Sequence, residues 1–293
     1  MEGRFVRYYR ERAEQAFEAG DYARALESAQ KALLRDQYSL EALNIAAIAA
    51  TKLGEYGKAV ALYEQALVIQ GETPEVYHNL GLLHAHMGDH KSAVKIYREA
   101  LALAQDSAEI YMSLADSLGE TGQVEAAIAA YDEALRIRPG LKEALFNKGV
   151  TLNGAGRYQE AADVFRALLE QDPSNVGAME GRAYSLSQMG RYPDAFSLYQ
   201  KAMLIDPDSP GICYNSALML ERLNRKDEAV MALYRTLELH PDFPGASLEK
   251  ANILGDMGMD KEAVLIYDKE AARTPDEPLV FFNRGISLGR VVW

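Results

Sequence analysis

The chain has 293 residues, of which 48% are hydrophobic and 25% are charged, a composition that suits a soluble helical protein. Its 43 acidic residues outnumber 31 basic ones, and the net charge of −12 disfavours nucleic acid and anionic membranes as primary partners. No apolar stretch reaches the roughly 18 residues that span a bilayer, the charged start is unlike a secretory signal, and the single cysteine excludes an internal disulfide, so we expect a cytoplasmic protein.

Glycine, alanine and aromatic residues recur every 34 residues, without insertion or deletion, from about Val6 to Glu277. A fixed period of this length indicates one supersecondary unit stacked on copies of itself. We number positions 1–34 of the repeat from its first residue. These first residues are Val6, Leu40, Pro74, Ala108, Lys142, Val176, Pro210 and Pro244, and a partial repeat begins at Pro278.

Positions 2–14 of each repeat predict a first helix, called helix A. In the third repeat, Tyr77, Leu80 and His84 recur at the spacing of one helix face. In chain order the predicted helices A are residues 7–19, 41–53, 75–87, 109–121, 143–155, 177–189, 211–223 and 245–257. Glycine at position 15 ends each of them, since the left-handed conformation costs other residues about 1–2 kcal/mol. Asn224 replaces this glycine once, and asparagine tolerates the same geometry.

A second helix, helix B, follows each glycine. In the third repeat its buried face is predicted to hold Ala93, Tyr97, Ala100 and Leu101. Small residues at positions 8 and 20 allow close helix approach, so a bulky side chain at Ala127 should clash. Proline at position 32 ends helix B in five repeats, at Pro139, Pro173, Pro207, Pro241 and Pro275. The first three repeats have Gln37, Gly71 and Gln105 there, so we expect less firmly defined helix ends and more flexibility in that half.

This pattern resembles the tetratricopeptide repeat (TPR) family over almost the whole chain. The resemblance implies an all-α fold: a right-handed α/α superhelix of about eight helix-turn-helix repeats plus one terminal helix, with a concave groove. We expect one solenoid domain, residues 1–293, with repeats 6–39, 40–73, 74–107, 108–141, 142–175, 176–209, 210–243 and 244–277 and a partial repeat or terminal helix at 278–293. The departures from the family pattern are Arg12, Lys148, Arg182 and Lys250 at position 7, and Val292 in place of a glycine.

One motif with catalytic chemistry occurs near the end of the chain. Residues 285–289 match the Gly-x-Ser-x-Gly nucleophile elbow of serine hydrolases, with Ser287 as the nucleophile. That motif needs a strand-turn-helix context and a histidine downstream, whereas no histidine follows His240. The repeats also leave no room for a catalytic domain. We therefore expect no enzyme activity, no catalytic residues and no cofactor.

Histidine and cysteine provide no convincing metal site. Of the four histidines in the third repeat, His78 and His86 lie on one side of helix A, but no carboxylate or cysteine completes a ligand set. Cys213 occupies a position that holds Tyr77, Tyr111 and Leu145 in other repeats, which predicts a buried structural thiol. We expect no metal.

By the family resemblance, positions 2, 5, 6, 9, 12 and 13 of helix A line the groove; we call these side chains the A-face. Position 6 holds an asparagine in every second repeat, at Asn79, Asn147, Asn215 and Asn283. An amide both donates and accepts, so it can hold an extended peptide backbone. The series resembles, in part, the asparagine ladder in the repeat region of O-linked N-acetylglucosamine transferases. Asparagine is also common at this position in ordinary repeats, so ligand contact and a packing role both remain open.

In the eight full repeats the A-face carries 13 acidic and four basic residues, and apolar or aromatic side chains lie between them. Acidic residues can simply keep a solvated face soluble, whereas exposed aromatic residues mark contact surfaces. Besides the four asparagines, the predicted partner-binding residues are His78, Met112, Asp116, Glu120, Phe146, Tyr184, Tyr214 and Phe282.

The same positions test a familiar function of the family, the binding of acidic chaperone tails by lysine and arginine. Glu109 and Glu249 stand where bases are required, which argues against it. The sequence predicts a scaffold that binds a protein or peptide segment, neutral to basic with apolar anchors, in its groove. Two alternatives stay open: the substrate-targeting region of a longer enzyme such as a glycosyltransferase, and a scaffold that self-associates through its C-terminal helix.

Overall fold

The computed structural model describes residues 2–71, 73–274 and 276–291, without the side chains of residues 2, 3 and 70. Pro275 and Val292, for which a helix end and a departure from the repeat were predicted, lie outside the described residues. The described part of the chain forms seventeen helices and no strand. The all-α fold, with eight helix pairs and one further helix, is confirmed.

Helices A and B alternate along the chain. The helices A are α1 (Glu2–Glu18), α3 (Leu40–Lys52), α5 (Pro74–His86), α7 (Ala108–Glu120), α9 (Lys142–Gly154), α11 (Val176–Gln188), α13 (Pro210–Arg222) and α15 (Ala246–Asp256), and α17 (Pro278–Val291) is the final one. The helices B are α2 (Tyr22–Leu33), α4 (Tyr56–Gln70), α6 (His90–Leu103), α8 (Val124–Ile137), α10 (Tyr158–Gln171), α12 (Tyr192–Ile205), α14 (Lys226–Leu239) and α16 (Asp260–Arg273).

Position 15 ends every paired helix A in the left-handed conformation, as predicted. The seven glycines there have φ between 73° and 77°, and Asn224 has φ 59°. The next residue then donates its N–H back to the carbonyl five residues earlier, as Gln123 does to Leu118 at 2.9 Å. This is the hydrogen bond of a Schellman motif, which satisfies carbonyls that the helix end leaves free.

The predicted helix starts differ from the observed ones by one residue in seven repeats, and the start of the first helix is wrong. The first helix begins at Glu2 rather than at residue 7. The helix predicted at 245–257 spans only 246–256, whereas α3, α5, α7, α9, α11 and α13 begin at position 1. A serine or asparagine at position 34 caps α3, α7, α11 and α13, as Asn175 does by accepting from the N–H of Ala178 at 2.9 Å. Before α15, Gly245 takes φ 78°, which lies outside the helical region, so the helix begins only at Ala246.

The ends of helices B follow the prolines. The helices before Pro139, Pro173, Pro207 and Pro241 all end at position 30, two residues before the proline. In the first three repeats the ends fall at positions 28, 31 and 30, so they vary as predicted. The greater flexibility of that half stays a prediction.

The described residues fall into two compact units, Met1–Thr151 and Leu152–Trp293, and within each unit consecutive helices pack against one another. The single solenoid domain over 1–293 stays a prediction. Ala127 is fully buried in the first unit and Cys213 is 2% exposed in the second, as expected. Burial also raises the pKa of the Cys213 thiol. No helix in the described part of the chain is long and apolar enough to cross a membrane.

Candidate functional site

Two asparagines of the A-face are held by the preceding repeat. Asn147 Nδ2 donates to Asp116 Oδ1 at 3.0 Å, and the same oxygen accepts from the hydroxyl of Tyr131. The second unit repeats the arrangement: Asn252 Oδ1 accepts from Asn283 Nδ2 at 3.0 Å and from Tyr267 Oη at 2.8 Å. The acceptor is at position 9, and its donors are at position 24 of the same repeat and position 6 of the next. Each set therefore joins three helices.

Two further predicted residues are also paired within the first unit. Asn79 Nδ2 donates to Asn44 Oδ1 at 3.0 Å. His78 Nε2 and Ser113 Oγ are hydrogen-bonded at 3.0 Å, and the imidazole lies 5.8 Å from the ring of Tyr97. Burial lowers the pKa of His78, against an opposing effect of Glu109, and so favours the neutral imidazole. These side chains connect neighbouring helices A.

Asn215 differs from the other three position-6 asparagines. Position 9 of the preceding repeat, which holds the acceptors of Asn147 and Asn283, is occupied by Tyr184, and this side chain offers no amide or carboxylate oxygen. Among the described residues Asn215 has no side-chain hydrogen-bond partner, and its side chain is half-buried. Of the four asparagines, Asn215 has the whole amide available to a ligand.

Asn215 lies in a cleft of about 570 Å³ in the second unit, formed by α11, α12, α13 and α15. The lining residues are Tyr184, Ser187, Gln188, Tyr192, Tyr199, Asn215, Leu218, Met219, Glu221, Arg222 and Glu249. Of the predicted site residues, the cleft brings together only Tyr184 and Asn215. Sequence reasoning considered helix A alone and so missed Tyr192 and Tyr199 on helix B. A signal for Tyr192 existed, because tyrosine recurs at position 17 in Tyr22, Tyr56 and Tyr158.

Two acidic residues, Glu221 and Glu249, and one basic residue, Arg222, line the cleft. Burial, and then the carboxylate of Glu221, raise the pKa of Glu249, against a hydrogen bond from Asn252 and the charge of Arg222. Glu249 forms no ion pair with any described residue. Arg222 Nε lies 3.7 Å from Glu221 Oε2, but the arginine side chain is 62% exposed. Among the described residues that line the cleft, Arg222 is the one base against the carboxylates of Glu221 and Glu249, so the cleft keeps a net negative charge.

The other predicted residues are distributed over several helices A. In the first unit Met112 and Phe146 are half-buried, and Glu120 is exposed. In the second unit Tyr214 packs against Phe243 with ring centroids 5.1 Å apart, and Phe282 is 65% exposed on α17. Neither Tyr214 nor Phe282 lines the cleft around Asn215.

Neither the Gly-x-Ser-x-Gly motif nor the histidines of the third repeat have the geometry that their chemistry needs in the described part of the chain. Ser287 is buried in the middle of α17 instead of standing on a strand-to-helix turn. No group of three or more histidine, cysteine, aspartate or glutamate side chains within the described ranges is arranged to hold a metal ion.

Comparison with known families identifies the repeat. Two models of the tetratricopeptide repeat match the chain, one at residues 38–106 and 72–139, the other at residues 114–176, 146–211 and 180–247. A search of curated proteins finds no match.

Solved structures show the same fold. The C-terminal part of a TPR repeat-containing protein from Cytophaga hutchinsonii has a TM-score of 0.69 at 19% identity, over 82% of this chain and 97% of that one. YrrB, described as a TPR protein with an unusual peptide-binding site, has a TM-score of 0.57 at 19% identity, over 64% and 97%. MamA from Desulfovibrio magneticus RS-1 has a TM-score of 0.55 at 19% identity, over 58% and 97%.

Proposed function

This chain belongs to the tetratricopeptide repeat family, and from that membership we propose that it is a non-catalytic scaffold that binds an extended segment of a partner protein. The segment lies in the cleft around Asn215 and is neutral to basic with apolar anchors. The observation that carries the proposal is the unpaired Asn215 amide in an acidic cleft lined by tyrosines. An amide there can pair with both the N–H and the C=O of a peptide.

The lining of the cleft supports both parts of this ligand description. Tyr184, Leu218 and Met219 provide apolar surface for aliphatic anchors. Glu221 and Glu249 repel an acidic segment and attract a basic one. Family membership supports a binding function in general, and the ligand class is inferred from this chain's own side chains.

A peptide array tests the proposal. Basic and neutral peptides with leucine or methionine anchors should bind, and acidic tails should not. Asn215→Ala should weaken binding about tenfold, the loss expected for a hydrogen bond to a buried backbone group. Gln200→Ala, at an exposed position of α12, is the matched control and should leave affinity unchanged. A preference for acidic tails, or equal affinity of Asn215→Ala and the native chain, would refute the proposal.

Self-association is a second candidate, favoured by the surface of α17. Leu279, Phe282 and Ile286 lie on its A-face, and all three are exposed. Exposed apolar side chains on one helix face mark an interaction surface. Light scattering over a concentration series should show oligomers that Phe282→Ser dissociates, and a monomer at every concentration would rule this candidate out.

The resemblance to the transferase ladder gains no support from the hydrogen bonds. Asn79, Asn147 and Asn283 each donate to a side chain of the preceding repeat. A ladder that holds a peptide needs these amides free along the whole face. The targeting region of a glycosyltransferase therefore stays an untested alternative.

A further inference from the structure

The cleft around Asn215 places two carboxylates on neighbouring helices. Glu221 comes from α13 and Glu249 from α15, and both side chains are half-buried. Their mutual repulsion contributes to the raised pKa of Glu249. Like charges held close together at partial burial are costly unless a cation lies between them. Arg222 lines the same cleft and pairs with Glu221, so it supplies one positive charge against two carboxylates, and its side chain is 62% exposed.

Aromatic rings line the same cleft. Tyr184 and Tyr192 contribute from α11 and α12, and Tyr184 is 45% exposed. The Tyr184 ring makes an edge contact with Tyr158 at 6.2 Å between centroids, which restrains its orientation. The face of a tyrosine ring attracts a cation through its quadrupole. The carboxylates and the tyrosine ring faces of this cleft therefore both favour a cationic ligand group.

We propose that this cleft binds the guanidinium group of an arginine side chain of the partner segment. The inference rests on the proposed function and identifies its anchor. A guanidinium is planar, so it can stack on a tyrosine ring while its edge donates hydrogen bonds to carboxylates. A lysine ammonium supplies the charge but not the flat surface, and it is held more weakly. The neighbouring Asn215 amide pairs with the backbone next to the anchor.

The probes that test the proposal are three blocked heptapeptides of glycine and leucine that differ only at the central residue: arginine, lysine or citrulline. Citrulline keeps the shape of arginine and removes its charge. Isothermal titration should show arginine binding at least about tenfold more tightly than citrulline, with lysine intermediate, as charge-assisted hydrogen bonds require. Equal affinities for the arginine and citrulline peptides would overturn the proposal without any protein variant.

Variants locate the anchor. The double substitution Glu221→Gln with Glu249→Gln should abolish the preference for arginine over citrulline, and Tyr184→Leu should reduce it. Glu170→Gln, at an exposed acid on α10, is the control for the loss of a carboxylate outside the cleft and should keep it. Circular dichroism melts establish that each variant is folded. An unchanged preference in the folded double variant would show that the cation binds elsewhere and would refute the proposal.

The two proposals fail differently. If none of the three peptides binds, the function proposed above fails. If they bind and Asn215→Ala weakens them, while arginine and citrulline bind alike, only the arginine anchor fails.

Discussion

Gly181 marks a point where two helices of the second unit have no room for a side chain. A β-carbon there would overlap Cζ of the Phe165 ring. We expect Gly181→Ala to lower the free energy of unfolding by about 1–3 kcal/mol, since the ring must move within a packed core. Gly154 is the matched control: it is also helical, and nothing lies within 4 Å of its β-carbon position.

Gly154→Ala should be neutral or stabilise by up to about 1 kcal/mol, because alanine restricts the unfolded chain and clashes with nothing. Urea unfolding of the two variants measures the difference. If both glycines tolerated alanine equally, the close approach between Gly181 and Phe165 would be contradicted.

His78 links stability to pH. Its burial lowers the pKa of the imidazole in the folded state, so the unfolded chain binds more protons once the pH falls below the ordinary value of 6.5. The stability that the neutral ring provides is therefore complete above that value and is lost as the pH falls. The groups facing His78 are Ser113, Tyr97 and Glu109.

We expect the native chain to lose more stability between pH 7 and pH 5 than the variant His78→Gln, which keeps a hydrogen-bonding side chain without titrating there. Thermal melts at a series of pH values measure this. Parallel pH profiles for the two proteins would show that His78 keeps its ordinary pKa.

At the scale of helices, the position-9 acceptors are the polar links between neighbours. Asn252 Oδ1 accepts from the buried Tyr267 and from Asn283. Asn252→Leu should cost about 1–3 kcal/mol, because it leaves the buried tyrosine hydroxyl without an acceptor. Asn252→Asp should cost less, since Asp116 accepts the equivalent pair of bonds in the first unit, and its remaining cost comes from the lost hydrogen bond to Glu249. Equal losses for leucine and aspartate, measured by urea unfolding, would contradict this role.

The helices themselves could be predicted closely from the sequence, because their ends depend on local chemistry. A left-handed residue at position 15 ends each paired helix A, and position-32 prolines fix the ends of helices B. The start of α15 could not be predicted from the repeat alone. It depends on Gly245, which takes φ 78° at a position that is already helical in the other paired repeats.

The candidate site was less predictable, because one residue type has different partners in different repeats. Asn147 and Asn215 occupy the same position, but Asp116 holds the first and no equivalent acceptor exists for the second. That difference is set 31 residues earlier in the chain, at position 9 of the preceding repeat. A series of asparagines read alone therefore suggests four equivalent ligand contacts, where the structure leaves one amide free.

At the scale of the whole molecule, charge decides how binding should respond to salt. The net charge is −12, and acidic residues outnumber basic ones by 13 to four on the A-face of the eight full repeats. Screening shortens the range of these charges from about 10 Å at 0.1 M salt to about 3 Å at 1 M. The long-range attraction for a basic segment is thus removed at high salt, whereas apolar contacts are not.

We therefore expect the affinity for the arginine heptapeptide to fall as sodium chloride rises from about 0.1 M to 1 M, and then to level off at a remainder supplied by Leu218 and Tyr184. The citrulline heptapeptide, which carries no charge, should bind with nearly constant affinity over the same range. Titrations of both peptides at five salt concentrations compare the two slopes. Equal slopes would mean that the acidic A-face only keeps the protein soluble, because a surface that attracts its ligand electrostatically must lose that contribution on screening.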